Sequence, residues 1–388
     1  MHCNKKARSQ VILVALGLCL ASALLAGVYL GVRALDINTS GSIGSVPWYV
    51  GLPQPYSYII DTNTTHYFMF DGRTGNEDYS STNASYIFEK LSGKNGTFFI
   101  KGGVYSIDSE IDVTTKGLQQ EWIGAGSLQT TIKVTSALTQ VFFINATDFI
   151  TIRNLRFECN YLASYAIYYN GTTGASCRGV FEDNDFRSTT YYAMRFNRME
   201  DEWVRVEDNV FRYTSGGIYA DIGDSQFKGN YFACQSNNTD TYQGSINLLG
   251  GSNIVVNNYF GGGYKQGIFI STDENIIEGN IFDYYRWDGI VIYGGKGNII
   301  DGNRISGCGR EANNTYSAIR MKGGATNNTI ARNYLQSDAS NYLRYAILEE
   351  STLEDYNNVK DNSLAGTFGA TPAICTQGSH TLVSGNLG

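Results

Sequence analysis

The chain has 388 residues, only 17% of them charged, with 44 glycines, 28 tyrosines and 4 prolines. Scarce charge beside abundant Gly, Tyr and Asn suits many short strands joined by tight turns, and it excludes a disordered chain or a helical bundle. A formal charge of −7 and a pI near 5.1 leave no electrostatic footprint for nucleic acid, so any anionic partner needs a local basic site.

Lys5, Lys6 and Arg8 precede Val11 to Val32, 22 residues without a charge, long enough for the roughly 30 Å hydrocarbon core of a bilayer. The positive flank predicts a signal-anchor, with residues 1–10 in the cytoplasm, 11–32 in the membrane and everything after Arg33 outside. A secreted chain, its signal peptide cleaved near Ala21-Ser22-Ala23, is the competing reading, although the apolar regions of such peptides usually run about 7–15 residues. Export is supported independently by nine Asn-x-Ser/Thr sites, at Asn38, Asn63, Asn83, Asn95, Asn145, Asn170, Asn237, Asn313 and Asn327. As glycosylation sites they would stand at the surface. Five cysteines (Cys159, Cys177, Cys234, Cys308, Cys375) follow the apolar run, an odd number for an oxidising compartment, and Cys159 and Cys177 are the nearest pair. No Cys/His cluster occurs that would hold zinc.

Residues 33–66, with Pro47, Pro53 and Pro55, read as a stalk. Residues 67–109 read as a cap and first coil. Asp71 to Asp78 is a turn-rich loop, and Ser85 to Leu91 is a short helical pattern with Ile87, Phe88 and Leu91 on one side. Gly96 to Ile107 then reads as strand, Gly corner, strand. A short amphipathic helix here would cover the open first coil, as solenoid ends require.

Residues 110–388 repeat one phrase, as in Ile150-Thr-Ile-Arg-Asn-Leu-Arg-Phe157, Val204-Arg-Val-Glu-Asp-Asn-Val-Phe211 and Ile276-Ile-Glu-Gly-Asn-Ile-Phe282. An Asn column runs through Asn184, Asn209, Asn230, Asn258, Asn280, Asn303, Asn333, Asn362 and Asn386, at separations of 25, 21, 28, 22, 23, 30, 29 and 24. Periods of this length indicate a solenoid whose units bury their apolar sides only by stacking. The apolar residues alternate with period two over segments of three to five residues, which excludes helical repeats. A second column, at Asn253, Asn275, Asn298, Asn328 and Asn357, lies five residues earlier. A third phrase follows, as in Gly217-Ile-Tyr-Ala, Gly267-Ile-Phe-Ile and Gly289-Ile-Val-Ile. Each coil therefore holds three short strands and three corners, where Asn tolerates left-handed backbone and bonds to the Asn one coil away. The expectation is an all-β, single-stranded right-handed parallel β-helix of about nine or ten coils after residue 110.

The loop, short helix and Lys101-Gly-Gly-Val-Tyr105 phrase resemble the N-terminal section of pectate-lyase-superfamily (pectin-lyase-like) proteins, and the later phrases resemble their parallel β-helix repeats. The resemblance covers about residues 67–388. It implies the fold; activity has to be argued from the site, because this fold hosts lyases, hydrolases, epimerases and noncatalytic proteins.

If Ile points inward in each Gly/Ala-Ile phrase, alternation sends Tyr168, Arg195, Tyr219, Asn247, Phe269, Val291 and Arg320 outward in one column, with Asn170, Asn197, Asp221, Leu249, Ser271, Tyr293 and Lys322 in the next. Tyr192, Tyr285 and Trp287 lie in the loops feeding that face. Aromatics stack on sugar faces and amides or carboxylates meet hydroxyls, so Tyr168, Tyr192, Tyr219, Asn247, Phe269, Tyr285, Trp287 and Arg320 are the candidate glycan-binding residues. Tyr and Phe are also ordinary strand residues, which keeps a merely packed aromatic surface open.

Hydrolysis asks for two carboxyl groups, about 5–9.5 Å apart. Asp283 and Asp288 bracket one loop, and Asp221 lies on the outward face. Asp288-Gly289-Ile290 is similar to the Asp-Gly-Ile segment of polygalacturonase-like members, and Arg320-Met321-Lys322 is similar to their Arg-Ile-Lys segment. The next coil, Ser317-Ala318-Ile319, departs from their Asp pair, and no Gly-His-Gly occurs. For a lyase the resemblance implies an Arg or Lys base and calcium held by carboxylates. Arg195 beside Asp221 is the candidate, with Asp224, Asp273 and Glu274 at the following corner; a calcium site needs about six oxygens. The residues themselves require no cofactor.

Two functions remain open at this point. One is a cell-surface polysaccharide lyase or glycoside hydrolase; the other is a noncatalytic adhesin, spike or envelope rod. The chain ends on a strand phrase at Asn386-Leu387-Gly388, and an uncovered last coil predicts self-association there.

Overall fold

The computed structural model describes residues 56–388 except 114–118, 146–148, 172–175, 198–199, 235–243 and 339–342. The expected membrane segment 11–32, most of the stalk, Asn38 and Asn237 lie outside the described residues. Among the described residues no helix is long and apolar enough to cross a membrane.

The chain winds as a right-handed parallel β-solenoid with three sheets along its length. The second and third sheets hold eleven strands each and the first holds fifteen. Successive strands of one sheet belong to successive coils and pair in parallel, as Phe149–Arg153 does with Ser176–Glu182. The first sheet begins with an antiparallel meander, Tyr58–Thr62, Tyr67–Asp71 and Glu77–Ser81, whose first strand joins Gly96–Ile100 in parallel. A six-residue helix, Ala84–Glu89, is capped at its start by the Asn83 side chain. Its Phe88 is fully buried, stacks 6.0 Å from Trp122 and meets Tyr105 edge-on at 5.7 Å. The helix therefore closes the apolar interior of the first coil, as the sequence pattern predicts.

Two periodic devices hold the coils in register. Inside the second sheet Phe157, Phe186, Phe211, Phe232, Phe260 and Phe282 stack ring on ring, with centroids 4.4–5.1 Å apart. At the corner between the first and second sheets, the amide of each column Asn from Asn184 to Asn362 donates to the carboxamide oxygen of the next at 2.9–3.1 Å. That oxygen also accepts the backbone N–H of the preceding Asn. A buried corner would otherwise strand two donors per coil, at about 1–3 kcal/mol each. The residue before each ladder Asn is left-handed, and it is Asn, Asp or Gly at Asp183, Asp208, Gly229, Asn257, Gly279, Gly302, Asp361 and Gly385; these types adopt that conformation at little steric cost.

The second ladder, Asn275 to Asn357, runs the same way and ends on a buried carboxylate. Glu349 accepts from Asn357 Nδ2 at 2.8 Å, from Thr381 Oγ1 and from the Gln377 and Gly378 N–H groups. In the last coil Leu382, Val383 and Leu387 are exposed. Cys159, the proposed partner of Cys177, is free and wholly buried; the side chain of Cys177 lies outside the described residues. Burial raises the thiol pKa of Cys159, of Cys234 to about 11 and of Cys308 to about 12, which leaves all three unreactive at neutral pH.

Candidate functional site

The outward face of the third sheet carries most of the candidate site residues. Register places Phe143, Tyr168, Arg195, Tyr219, Asn247, Phe269, Val291, Arg320 and Leu348 on successive rungs of one column. Asn145, Asn170, Asn197 and Asp221 form the next column. The first of these columns changes residue type at nearly every rung, as do the outward columns through Arg153, Glu182, Glu207 and Lys228 in the first sheet and through Thr131, Arg156, Asp185, Val210 and Tyr231 in the second.

Two clusters occupy the ends of the third-sheet column. At the first, Arg195 Nη1 donates to Tyr165 Oη at 2.8 Å, and the guanidinium lies 5.1–5.5 Å from the rings of Tyr165, Tyr168 and Tyr219. Tyr191 packs edge-on against both Tyr165 and Tyr192, and Phe143 lies against Tyr168. Partial burial opposes the charge of Arg195, but the Tyr165 bond and the surrounding phenol oxygens outweigh it and hold the pKa above the ordinary guanidinium value. Arg195 makes no ion pair among the described residues, and its buried Nε has no partner.

The second cluster lies five rungs further along, on the order of 24 Å at the usual strand spacing. Asp288 is 3% exposed. Its Oδ1 accepts the Ser317 N–H at 2.7 Å, and its Oδ2 lies 3.8 Å from Arg320 Nη1. Arg320 Nη2 also bonds Glu350 Oε1 at 2.5 Å. Burial pushes the Asp288 carboxyl up to about 6 against the pull of the Ser317 N–H, Arg320 and Lys322. Ser317 Oγ and Arg320 Nε are buried without partners. Trp287 stacks on Tyr316 at 5.9 Å, and Lys265 Nζ lies 5.4 Å from the centre of the Trp287 ring.

The remaining expected site residues are distributed differently. Arg195 and Asp221 are not side by side: Arg195 is in register with Tyr219, and Asp221 with Asn197. Asp283 belongs to the second sheet, where it accepts from Ser306 Oγ and Tyr259 Oη, so it is not paired with Asp288 on the third-sheet face. Tyr285 is fully buried, its hydroxyl 2.7 Å from Ser245 Oγ, and is a core residue. Tyr192, Asn247 and Phe269 are also buried. Asn247 donates to Tyr192 Oη at 2.6 Å and accepts the Gly244 N–H, which fixes the loop rather than presenting an amide to solvent. Tyr168, Tyr219, Trp287 and Arg320 stay partly exposed on the face.

Tyr165, Tyr316, Ser317 and Glu350 were not visible as site residues. Tyr165 lies before the Ile phrase that marks the strand, and Glu350 one residue past it. The pair Glu349-Glu350 was the available signal, because an acid at Glu349 breaks the apolar inward column.

The carboxylates proposed for calcium do not converge. Asp224 and Glu274 take left-handed corner positions just before Ser225 and Asn275, and Asp273 accepts the Lys296 N–H. Among the described residues no group of three or more His, Cys, Asp or Glu side chains is placed to share a metal, and no chemistry is assigned to one. Of the Asn-x-Ser/Thr sites, Asn63, Asn83, Asn95, Asn313 and Asn327 are exposed, whereas Asn145 and Asn170 are half-buried on the outward column. Asn170 also accepts from Asn197 Nδ2.

Residues 235–387 match the family described as the right handed beta helix region. Among solved structures, the chain is similar to the A-module of mannuronan C-5 epimerase AlgE6 of Azotobacter vinelandii, at 15% identity and a TM-score of 0.54, over 76% of this chain and 90% of that one. A tailspike protein of E. coli bacteriophage HK620, in complex with a pentasaccharide, is similar at 11% identity and a TM-score of 0.47, over 75% of this chain and 64% of that one. No curated protein sequence matches. At these identities the likeness is one of fold. With the repeats and the three-sheet coil, the match establishes a right-handed parallel β-helix fold for this chain.

Proposed function

We propose that this chain is a carbohydrate-binding β-helix protein that engages an extracellular polysaccharide along the outward face of its third sheet. The observation that carries the reading is the Arg195 cluster. A guanidinium ringed by three tyrosines, with no carboxylate paired to it among the described residues, offers a ring-stacking surface and a charged donor at one point. Arg187 and Arg205 on this same molecule, by contrast, are paired with the carboxylates of Asp185 and Glu207.

The N-terminal features extend the reading to location. The 22-residue apolar run behind Lys5, Lys6 and Arg8 would hold the solenoid outside a membrane, where the exposed Asn-x-Ser/Thr sites would carry glycans. A second reading is a noncatalytic rod presenting the same binding face. The ladders of Phe, from Phe157 to Phe282, and of Asn, from Asn184 to Asn386, favour it, since they tie successive coils together.

The test is affinity electrophoresis of the full chain in gels containing alginate, polygalacturonate, dextran or laminarin. Retardation by at least one polymer, reduced about 10–100-fold in affinity by Arg195→Ala, is the expected result. Arg212→Ala, an exposed arginine on the second sheet, should leave retardation unchanged. No retardation by any polymer, or equal retardation of wild type and Arg195→Ala, overturns the reading.

A further inference from the structure

We infer that two copies of this chain associate side by side through the outward face of the first sheet, running antiparallel about a twofold axis at the rung of Ile254 and Val256. The inference is independent of the glycan-binding reading and uses none of the third-sheet residues.

The first-sheet strands Gln226–Lys228, Ile254–Val256, Ile276–Glu278, Ile299–Asp301 and Thr329–Ala331 stack on successive coils. Their first outward column reads Gln226, Ile254, Ile276, Ile299, Thr329, so isoleucines occupy consecutive rungs between polar neighbours. Ile254 is 38% exposed and Ile299 39%. A single exposed isoleucine needs no explanation, but a run on adjoining rungs makes a continuous apolar strip, which is the mark of a contact surface. The corners that bound this face are short. Residues 249–253 lead into Ile254–Val256 and residues 271–275 into Ile276–Glu278, and only Asn257-Asn258 and Gly279-Asn280 follow those strands. Between the second and third sheets, by contrast, one corner runs over residues 307–316. A second flat face can therefore approach the first sheet closely.

Charge decides which partner the strip fits. The second outward column carries Glu207, Lys228, Val256, Glu278 and Asp301 on successive rungs. Glu207 is held by Arg205 and Asp301 by Arg332. Lys228 and Glu278 are exposed and make no ion pair among the described residues. They lie two rungs apart, on the order of 10 Å, with Val256 midway between them. An acidic partner would suit Lys228 and repel Glu278, and a basic one the reverse.

A second copy turned end for end about the Val256 rung satisfies both. Its Glu278 comes opposite Lys228 and its Lys228 opposite Glu278, while Ile254 meets Ile254 and Ile276 meets the stem of Gln226. Packed sheet faces stand about 10 Å apart, a gap that facing Lys and Glu side chains span. One column thus supplies both halves of the pairing, as a twofold interface requires. A copy aligned in the parallel sense sets like rungs together, so Lys228 nears Lys228, Glu278 nears Glu278, and neither finds its counterion.

The test is sedimentation velocity of the full chain in a mild detergent over a range of concentrations, with a concentration-dependent dimer expected. Lys228→Glu and Glu278→Lys should each weaken the dimer at least about 10-fold, since each reversal opposes like charges at two symmetric places. Lys228→Glu/Glu278→Lys exchanges the two charges and should return to within about 3-fold of wild type. Ile254→Asp sets two carboxylates on the axis and should weaken the dimer at least about 100-fold. These side chains are exposed, so the melting temperature should hold in every variant. A short bismaleimide should join Val256→Cys to its copy well above the wild-type yield, and should not do so for Arg212→Cys on the second sheet. A monomer up to about 100 µM, single reversals without effect, or a double reversal that fails to restore association would overturn the inference. A dimer untouched by Ile254→Asp would also overturn it, by placing the association on another part of the chain.

Discussion

The inside of the second sheet and the outside of the third sheet are made by the same coils, yet they are built on opposite plans. Inside, six phenylalanines stack on consecutive rungs with planes within 14° of parallel. Outside, consecutive rungs carry Phe, Tyr, Arg, Tyr, Asn, Phe, Val and Arg. Repetition is what a solenoid needs for stability, since each coil buries its apolar side only against its neighbours. The outward column gives up that repetition, and Arg195 Nε and Arg320 Nε on it are among the buried side-chain atoms without a hydrogen-bond partner. The difference teaches that in this fold the departures from the repeat, rather than the repeat, carry chemical information.

The contrast can be broken from the inside first. Phe260→Ala removes a fully buried ring between Phe232 and Phe282, and should cost about 3–5 kcal/mol in denaturant unfolding. Asn280→Ala interrupts the ladder between Asn258 and Asn303 and strands their bonding groups. We expect a loss of about 2–4 kcal/mol by the same measurement. Neither change should alter polysaccharide affinity in protein that remains folded.

On the outward face the signs differ. Asp288 titrates near 6 in the folded chain against an ordinary 3.8. Its burial therefore costs nothing below about pH 4, where both states hold the proton, and the cost grows between pH 4 and 6 and is complete above. Asp288→Asn should accordingly be more stable than wild type at pH 7, by on the order of 1–3 kcal/mol, and equal to it at pH 3.5. Urea titrations at the two pH values check this, and a destabilised Asn variant at pH 7 would mean that the carboxylate is needed by the fold. The smallest effect on stability is expected for Arg195→Ala, within about 1 kcal/mol because only ring contacts and one hydrogen bond are lost, although its effect on glycan affinity should be the largest on this face.

Much of the fold was legible because its rules are local and periodic. The Asn columns and the Gly/Ala-Ile phrases place the coils from Asn184 onward, and the outward columns deduced from alternation coincide with the observed register from Tyr168 to Arg320. Less of the site could be read. Alternation says which way a side chain leaves its strand but not whether a neighbouring coil covers it, so Asn247 and Phe269 point outward and are still buried. Loop residues follow no period, which is why Tyr285 was placed on the face when it belongs to the core. Proximity in sequence misled at Asp283, which lies five residues from Asp288 but in another sheet. Glu350 escaped because its partner Arg320 is a full coil away, a distance that only register can bridge.

The most direct test of the account is hydrogen–deuterium exchange of the full chain, with and without the polysaccharide that retards it most strongly. Protection should rise in the third-sheet strands Ala163–Asn170, Tyr192–Asn197, Gly216–Asp221 and Ser317–Lys322, with the second-sheet strands unchanged. Protection confined to the second sheet, or spread evenly over all three, would contradict the claim that this protein binds glycan along the outward face of its third sheet.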